Sequence, residues 1–394
     1  MALFFSSLTT DKLIFYCICL YALVFSWSVP AANAAIDVGL AIVLFQFWRV
    51  RRFPAVDWKL LSVTATFIVA AVISGILAHS PSASVKPIWH LFYYMLTLPL
   101  TMAYIKEEWQ KAILFRLVCI SLLVSSLYIL WQGYLGFPRA WGLTGTWLIA
   151  ATYLELSIPL LMVVVLEKKS TTPFLRWTLP ALLAGVCLAL ILVNSRAAWI
   201  AVAIAILFYF IIRFKQFSQK KIFTLTILLC VCVSIFFANP HLLSRFYSIT
   251  DLNYQNNSER VLMWKSAWNM FLDHPVLGVG IGNYGAQYQK IYILPDAKEP
   301  EQNHSHNSFM QYLAETGLIG FSAFLIMFLY LLRHYIVRFR NNHHDSIALG
   351  MILSIICFMI HGLMDWNYGM FPSTAQYLWF LVGATWYQSN SCQN

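Results

Sequence analysis

The sequence reads as an all-α polytopic membrane protein of about twelve transmembrane helices, and three observations predict this class. Of 394 residues, 60% are apolar and 11% charged, with a mean hydropathy of +0.68, where a soluble domain carries about 25% charged residues. The apolar residues gather in runs long enough to cross about 30 Å of hydrocarbon. Lys and Arg sit in polar segments between those runs, in unequal shares on alternate sides. This composition excludes a soluble enzyme, a disordered chain and a nucleic-acid binder. The net charge of +10 belongs to the loop asymmetry of a membrane protein.

In chain order the expected spans are 12–30, 34–50, 58–78, 88–105, 112–134, 146–167, 174–193, 196–213, 221–238, 308–337, 345–363 and 371–388. The seventh and eighth are separate because Asn194-Ser195 makes a turn between them. With the N-terminus inside, 18 of the 26 Lys and Arg fall on the inner side and eight on the outer. That bias puts both ends in the cytoplasm. Residues Ala31-Ala32-Asn33-Ala34-Ala35 resemble a signal-peptidase site, but the preceding apolar run is long and only Lys12 stands before it, so the segment is read as retained helix. Cys17, Cys19, Cys119, Cys187, Cys230, Cys232 and Cys357 lie in apolar runs and Cys392 in the tail, with no disulfide or zinc spacing.

The chain is read as one transmembrane domain, 1–394, in which 239–307 forms a large ordered loop on the outer side, between spans nine and ten. Loops of this length are commonly functional. Within it, Ser258 is expected to cap a helix beginning at Glu259. Arg260, Trp264, Ala267, Trp268 and Phe271 then share one face, suited to the membrane interface. Asp273-His274-Pro275 ends that helix. Gly278, Gly280, Gly282 and Gly285 follow, where the backbone needs unusual angles or close approach.

Chemistry-bearing residues gather on the same outer side. Arg196 opens the eighth span, where an arginine snorkels to headgroups or faces an anionic partner. Arg139 lies in an outer loop, and Arg260 on the apolar face of the expected loop helix. His304 and His306 stand two apart near Asp296, Glu299 and Glu301. That grouping suggests a metal, yet it matches no helical ligand pair such as H-E-x-x-H, and no metal is expected. His306 sits at the start of the tenth span, where the helix dipole disfavours imidazolium and leaves a ring able to act as a general base. Glu155 and Asp365, in the sixth and eleventh spans, are read as structural partners of helix ends or arginines.

His306-Asn307, nine residues, then Gly317-Leu318-Ile319-Gly320 resembles the signature of bacterial O-antigen ligases. Asn194-Ser195-Arg196-Ala197-Ala198-Trp199, Glu259-Arg260 with Trp264, the run His274 to Asn283, and Arg139-Ala140-Trp141-Gly142 resemble further segments of the O-antigen ligase and polymerase superfamily. Together they cover 139–320. The resemblance implies a GT-C-like glycosyltransferase in the bacterial inner membrane. It would transfer a glycan from undecaprenyl diphosphate to the outer core sugar of lipid A–core, in lipopolysaccharide biosynthesis. On that reading His306 is the general base, Arg196 and Arg260 stabilise the diphosphate, and Arg139, Asn307, His304 and Trp264 contact substrate. The reaction inverts the anomeric centre, uses no cofactor, and takes place on the periplasmic side. A polymerase or a protein-directed oligosaccharyltransferase of the same superfamily is the near alternative. A transporter or flippase is the distant one, disfavoured because no repeat is evident and the polar residues gather outside rather than at mid-membrane.

Overall fold

A computed structural model describes residues 7–51, 54–167, 173–214, 240–249, 251 and 254–386, with 226, 227, 230 and 234. The ninth expected span, 221–238, falls almost wholly outside the described residues. Every described regular element is helical: α1 Ser7–Val24, α2 Val29–Val50, α3 Trp58–Ile76, α4 Pro81–Met95, α5 Thr97–Tyr104, α6 Glu108–Tyr134, α7 Trp147–Glu167, α8 Pro173–Val193, α9 Arg196–Arg213, α10 Pro240–Tyr247, α11 Gln255–Asp273, α12 Tyr284–Gln287 with a π turn to Tyr292, α13 Ser308–Asn341, α14 Ser346–Gly362 and α15 Pro372–Thr385. Among the described residues seven of these helices are long and apolar enough to cross a membrane, and α14 is apolar but shorter. The chain is an α-helical, multi-pass membrane protein.

The helix ends follow local chemistry. Ser28 caps α2 by accepting from Ala31 N, with Pro30 in the first turn, and the helix runs on through Ala31–Ala35. Asp57 caps α3. Asn194, at φ 58°, makes the expected turn, and Ser195 then caps α9. Three boundaries differ from expectation. The first span ends at Val24 and the second opens at Val29. The fourth begins at Pro81 and breaks at Leu96 into α4 and α5. The tenth is interrupted at Gly317, whose φ of 58° and ψ of −162° lie outside the helical region.

The centre is α7, whose side chains are buried nearly all round. It packs against α14 and α8, while α14 also meets α9 and α13. Aromatic rings fill the space towards the candidate site: Phe25 stacks on Tyr377 at 4.2 Å, and Phe67 meets Tyr312 edge-on at 5.1 Å. Such offset and edge contacts add to the burial of large rings.

The segment from α11 to Tyr292 packs against α13 around a small core of Met263, Ala267, Met270, Val279, Tyr284, Tyr288 and Tyr292, joined by Ala314 of α13. The break at Gly317 is what lets it dock. Val279 N and Gly280 N donate to the Ala314 and Glu315 carbonyls, and Leu318 N donates to Pro275 O at 2.8 Å. A Cβ on Gly317 would lie 2.4 Å from the Val276 carbonyl carbon, and one on Gly278 2.4 Å from that of Glu315. Buried Glu315 accepts from Gly282 N and Tyr284 N. Gly317→Ala therefore combines a left-handed backbone with a backbone collision. We expect a loss of at least about 1–3 kcal/mol, read as a lowered thermal midpoint, whereas Gly185→Ala, with open space around it, leaves the midpoint unchanged or raised.

One expectation about α11 is corrected, and its inward face is added. It starts at Gln255 after Tyr254, and Ser258 lies in its first turn, donating to Gln255 O. Its buried stripe is Glu259, Met263, Ser266, Ala267 and Met270. Of the expected face only Ala267 is in that stripe; Arg260, Trp264 and Phe271 are half-buried and Trp268 is exposed. Glu259 faces inward to accept from Lys298 N and Glu299 N. The helix does end at Asp273, with His274 beyond it, as the proline requires.

Candidate functional site

The site forms where three chain turns meet the docked segment. The first is the start of α13. Asn307 caps it, its Oδ1 accepting from Phe309 N and Met310 N while its Nδ2 donates to Leu363 O. Ser305 Oγ donates to Asn307 O, and Ser305 N to Gln311 Oε1. These bonds hold His306 at φ 50°, a left-handed conformation that a non-glycine residue adopts only when its surroundings impose it. The Asn307 side chain is thereby committed to the protein's own backbone.

The second turn follows α14. Asp365 was expected near the end of the eleventh span as a structural acid; it lies beyond Gly362, in a turn facing His306. Its Oδ1 is 3.2 Å from His306 Nδ1, and its Oδ2 is 3.6 Å from Arg260 Nη2. Burial alone would raise its carboxyl, but the His306 hydrogen bond and the Arg260 charge hold it well below the usual carboxylate range. His304 packs on His306 with ring centroids 4.2 Å apart and on Trp366 at 5.5 Å. Burial, with the neighbouring His306 and Arg260 charges, pushes His304 down to about 4 against the opposing pull of Asp365. Trp264 Nε1 donates to Ser305 O, so this ring braces the histidine turn from below.

The third is the pair of turns carrying Arg139 and Arg196. Asn194 Nδ2 donates to Pro138 O, and Ala140 N to Leu192 O, tying the two together. Arg196, buried at the start of α9, donates from Nη1 to the Ser248 carbonyl and hydroxyl. The Arg139 guanidinium lies 3.3 Å over the Trp147 ring, a cation–π contact. Burial first, then the charges of Arg245, Arg260 and Arg196, push Arg139 down to about 9. Arg245, which sequence reasoning passed over, contacts Tyr254 OH at 3.3 Å. Nε of Arg139, Nε of Arg245 and Nε2 of His304 are buried with no hydrogen-bond partner among the described residues.

Arg139 thus lies within electrostatic reach of Arg196, Arg245, Arg260 and Asp365, and Arg196 within reach of Arg245 and Arg260. Such an excess of buried donors favours a multiply charged anion. One ligand atom each from His304, His306 and Asp365 lies within 4.8 Å of the others, a spacing that a cation could bridge. The acids expected beside the histidines, Asp296, Glu299 and Glu301, are not the ones that join them. The surrounding guanidinium charge opposes a cation, and Arg260 already occupies Asp365.

The buried titratable groups give a stability expectation. The folded state holds His304 below its ordinary value, so the unfolded chain binds the extra proton as pH falls from about 6.5 to about 4. Stability is lost across that window. The depressed Asp365 adds a further loss below about pH 4, through its ordinary range. Thermal unfolding between pH 8 and pH 4 should show a falling midpoint, with a shallower fall in His304→Gln.

Residues 179–325 match a protein family described as O-antigen ligase. The teichuronic acid biosynthesis protein TuaE of Bacillus subtilis (strain 168) is 28% identical over 130 residues, 32% of this chain and 24% of that protein. The ComP-specific O-oligosaccharyltransferase of Acinetobacter baylyi is 22% identical over 196 residues, 49% of this chain and 33% of that protein. The chain therefore spans about a quarter to a third of the length of these relatives. The matched family segment holds Arg196, Arg245, Arg260, His304 and His306; Arg139 and Asp365 flank it.

Proposed function

We propose that the chain is a member of the O-antigen ligase superfamily, whose family model matches residues 179–325, and that it transfers a glycan from undecaprenyl diphosphate to the outer core sugar of lipid A–core. The observation that carries this reading is that Arg196, Arg245 and Arg260 all lie within electrostatic reach of Arg139, while Arg260 and His306 both contact Asp365. A glycosyl diphosphate gains negative charge on its leaving oxygen as the glycosidic bond breaks. Preorganised guanidinium donors stabilise that charge most in the transition state. Arg196, Arg260, Arg139 and Arg245 are assigned to the diphosphate.

His306 is the general base. Asp365 engages its Nδ1, so Nε2 is the nitrogen left to take the acceptor's hydroxyl proton. The acceptor oxygen then attacks the anomeric carbon from the face opposite the diphosphate. The new C–O bond forms as the old one breaks, both electrons leave with the diphosphate, and the configuration inverts. Asn307 and Trp264 hold the histidine turn, and His304, neutral at pH 7, lines it. Guanidinium charge takes the part a divalent cation would play, and transfer is expected without one. The site side is assigned to the periplasm, the membrane to the bacterial inner membrane, and both termini to the cytoplasm, with twelve spans and a GT-C-like arrangement.

Acceptor choice is the point of a second reading. One relative is named for teichuronic acid biosynthesis and another for ComP-specific O-oligosaccharyl transfer, so their names differ in what is built or modified. Purified chain in lipid nanodiscs, given an undecaprenyl-diphosphate glycan with EDTA, should glycosylate lipid A–core. Extension of the donor glycan instead would make it a polymerase. Product on neither lipid A–core, nor donor glycan, nor a protein acceptor would set the glycan-transfer reading aside.

A further inference from the structure

Two ionisable side chains take no part in this chemistry. Glu155, in the middle of α7, and His361, in the last turn of α14, meet at 2.5 Å between Oε2 and Nδ1, with neither side chain exposed. Their far atoms, Glu155 Oε1 and His361 Nε2, have no hydrogen-bond partner among the described residues. Such a pair is a poor device for stability alone, because desolvation offsets its attraction and an apolar pair of similar volume commonly does as well. What it adds is direction. The two helices otherwise meet through apolar side chains, a bond from Ser354 Oγ to Leu156 O, and the close approach of Gly350 to Leu160.

Each helix carries one side of the site. α7 begins at Trp147, the ring beneath Arg139. His361 lies at the base of the Asp365 turn, its carbonyl accepting from both Met364 N and Asp365 N at 2.9 Å. A shift of α7 along α14 would therefore move the arginine platform relative to His306 and Asp365. We propose that Glu155 and His361 are positioning residues whose buried pair fixes the register of α7 against α14, and so holds Trp147–Arg139 and Asp365–His306 in one geometry. A proton-relay role is disfavoured, because no side-chain bond among the described residues joins His361 to Asp365, and His306 itself reaches solvent.

The inference rests on the transfer chemistry proposed above, and the test separates the two. Glu155→Gln keeps an oxygen for His361 Nδ1–H; the double variant Glu155→Leu/His361→Met removes the directional contact and keeps the volume. Small misplacements cost much of the chemical step, so the double variant should lose at least about tenfold in kcat, with KM for the donor within about threefold and an unchanged or higher thermal midpoint. Glu155→Gln should retain at least about a third of kcat. Wild-type kcat in the double variant, a loss confined to KM, or an equal loss in Glu155→Gln would overturn the proposal. Should the apolar pair fail to fold, Glu155→Gln/His361→Leu replaces it.

A second readout does not depend on turnover. Carbethoxylation of His306 by diethyl pyrocarbonate, followed by mass spectrometry, should speed up at least about threefold in the double variant as the Asp365 turn loosens, and stay unchanged in Glu155→Gln. If the wild type forms no product but His306 reactivity shifts as stated, the transfer reading falls and the positioning stands. If product forms and neither kcat nor reactivity changes, the positioning falls.

Discussion

His306→Ala should lower glycan transfer by about 10²–10⁴-fold, the range that a positioned general base supplies. The loss should fall in kcat, because the imidazole acts on a proton in flight and contributes little to holding the donor. Asp365→Asn should give a smaller loss of the same kind: an amide in place of the carboxylate no longer fixes the Nδ1–H tautomer. Both variants should still bind inorganic pyrophosphate, since the guanidinium groups remain. His306→Ala at wild-type kcat would remove the histidine from the chemistry, whatever becomes of the arginines.

Arg196→Ala and Arg260→Ala should each cost about 10²–10³-fold in kcat/KM, the scale of losing one preorganised donor to a developing charge. Lysine should rescue poorly at either position, because a point charge replaces a planar fork. Arg245→Ala should fall within the same range, although nothing in its sequence surroundings singles it out. Arg139→Ala should be milder, because part of its interaction is already spent on the Trp147 face. The effects should combine sub-additively, as groups acting on one anion do. Full activity in Arg196→Ala/Arg260→Ala would move the diphosphate out of this cluster.

The residues that sequence reasoning found and missed differ in a physical way. Apolar runs report their own environment, so most spans could be read from composition, and the Asn194-Ser195 turn from two polar residues between runs. Arg196 and His306 stood out because a charge or an imidazole at the edge of a span needs an explanation. Arg245 did not, and Asp365 is legible only as a structural partner of an arginine, since what makes them part of the site is contact with residues far away in the chain: Asp365 is 59 positions from His306. His361 pairs with Glu155 across 206 positions, and no periodicity carries that information.

The inward face of α11 was not legible for a related reason. Its tryptophans are the largest apolar side chains on the helix, but the stripe that packs inward is built from Met263, Ala267 and Met270, with Glu259 among them. Glu259 is drawn inward by the backbone N–H groups of Lys298 and Glu299, donors that hydropathy cannot show. The Gly317-x-x-Gly320 half of the family signature was legible as a motif but not as a mechanism. Only the fold shows that Gly317 opens the helix so that segment 275–284 can dock on Ala314, Glu315 and Leu318.

The central proposal is that the arginine cluster holds the leaving diphosphate beside His306. Its most direct test is a structure of the protein in nanodiscs with undecaprenyl diphosphate, in the presence of EDTA. Diphosphate density is expected within hydrogen-bond distance of Arg196 and Arg260, with His306 at its edge and no ion between His304, His306 and Asp365. A diphosphate seated away from these arginines, or bound only when a divalent cation bridges the two histidines and the aspartate, would contradict it.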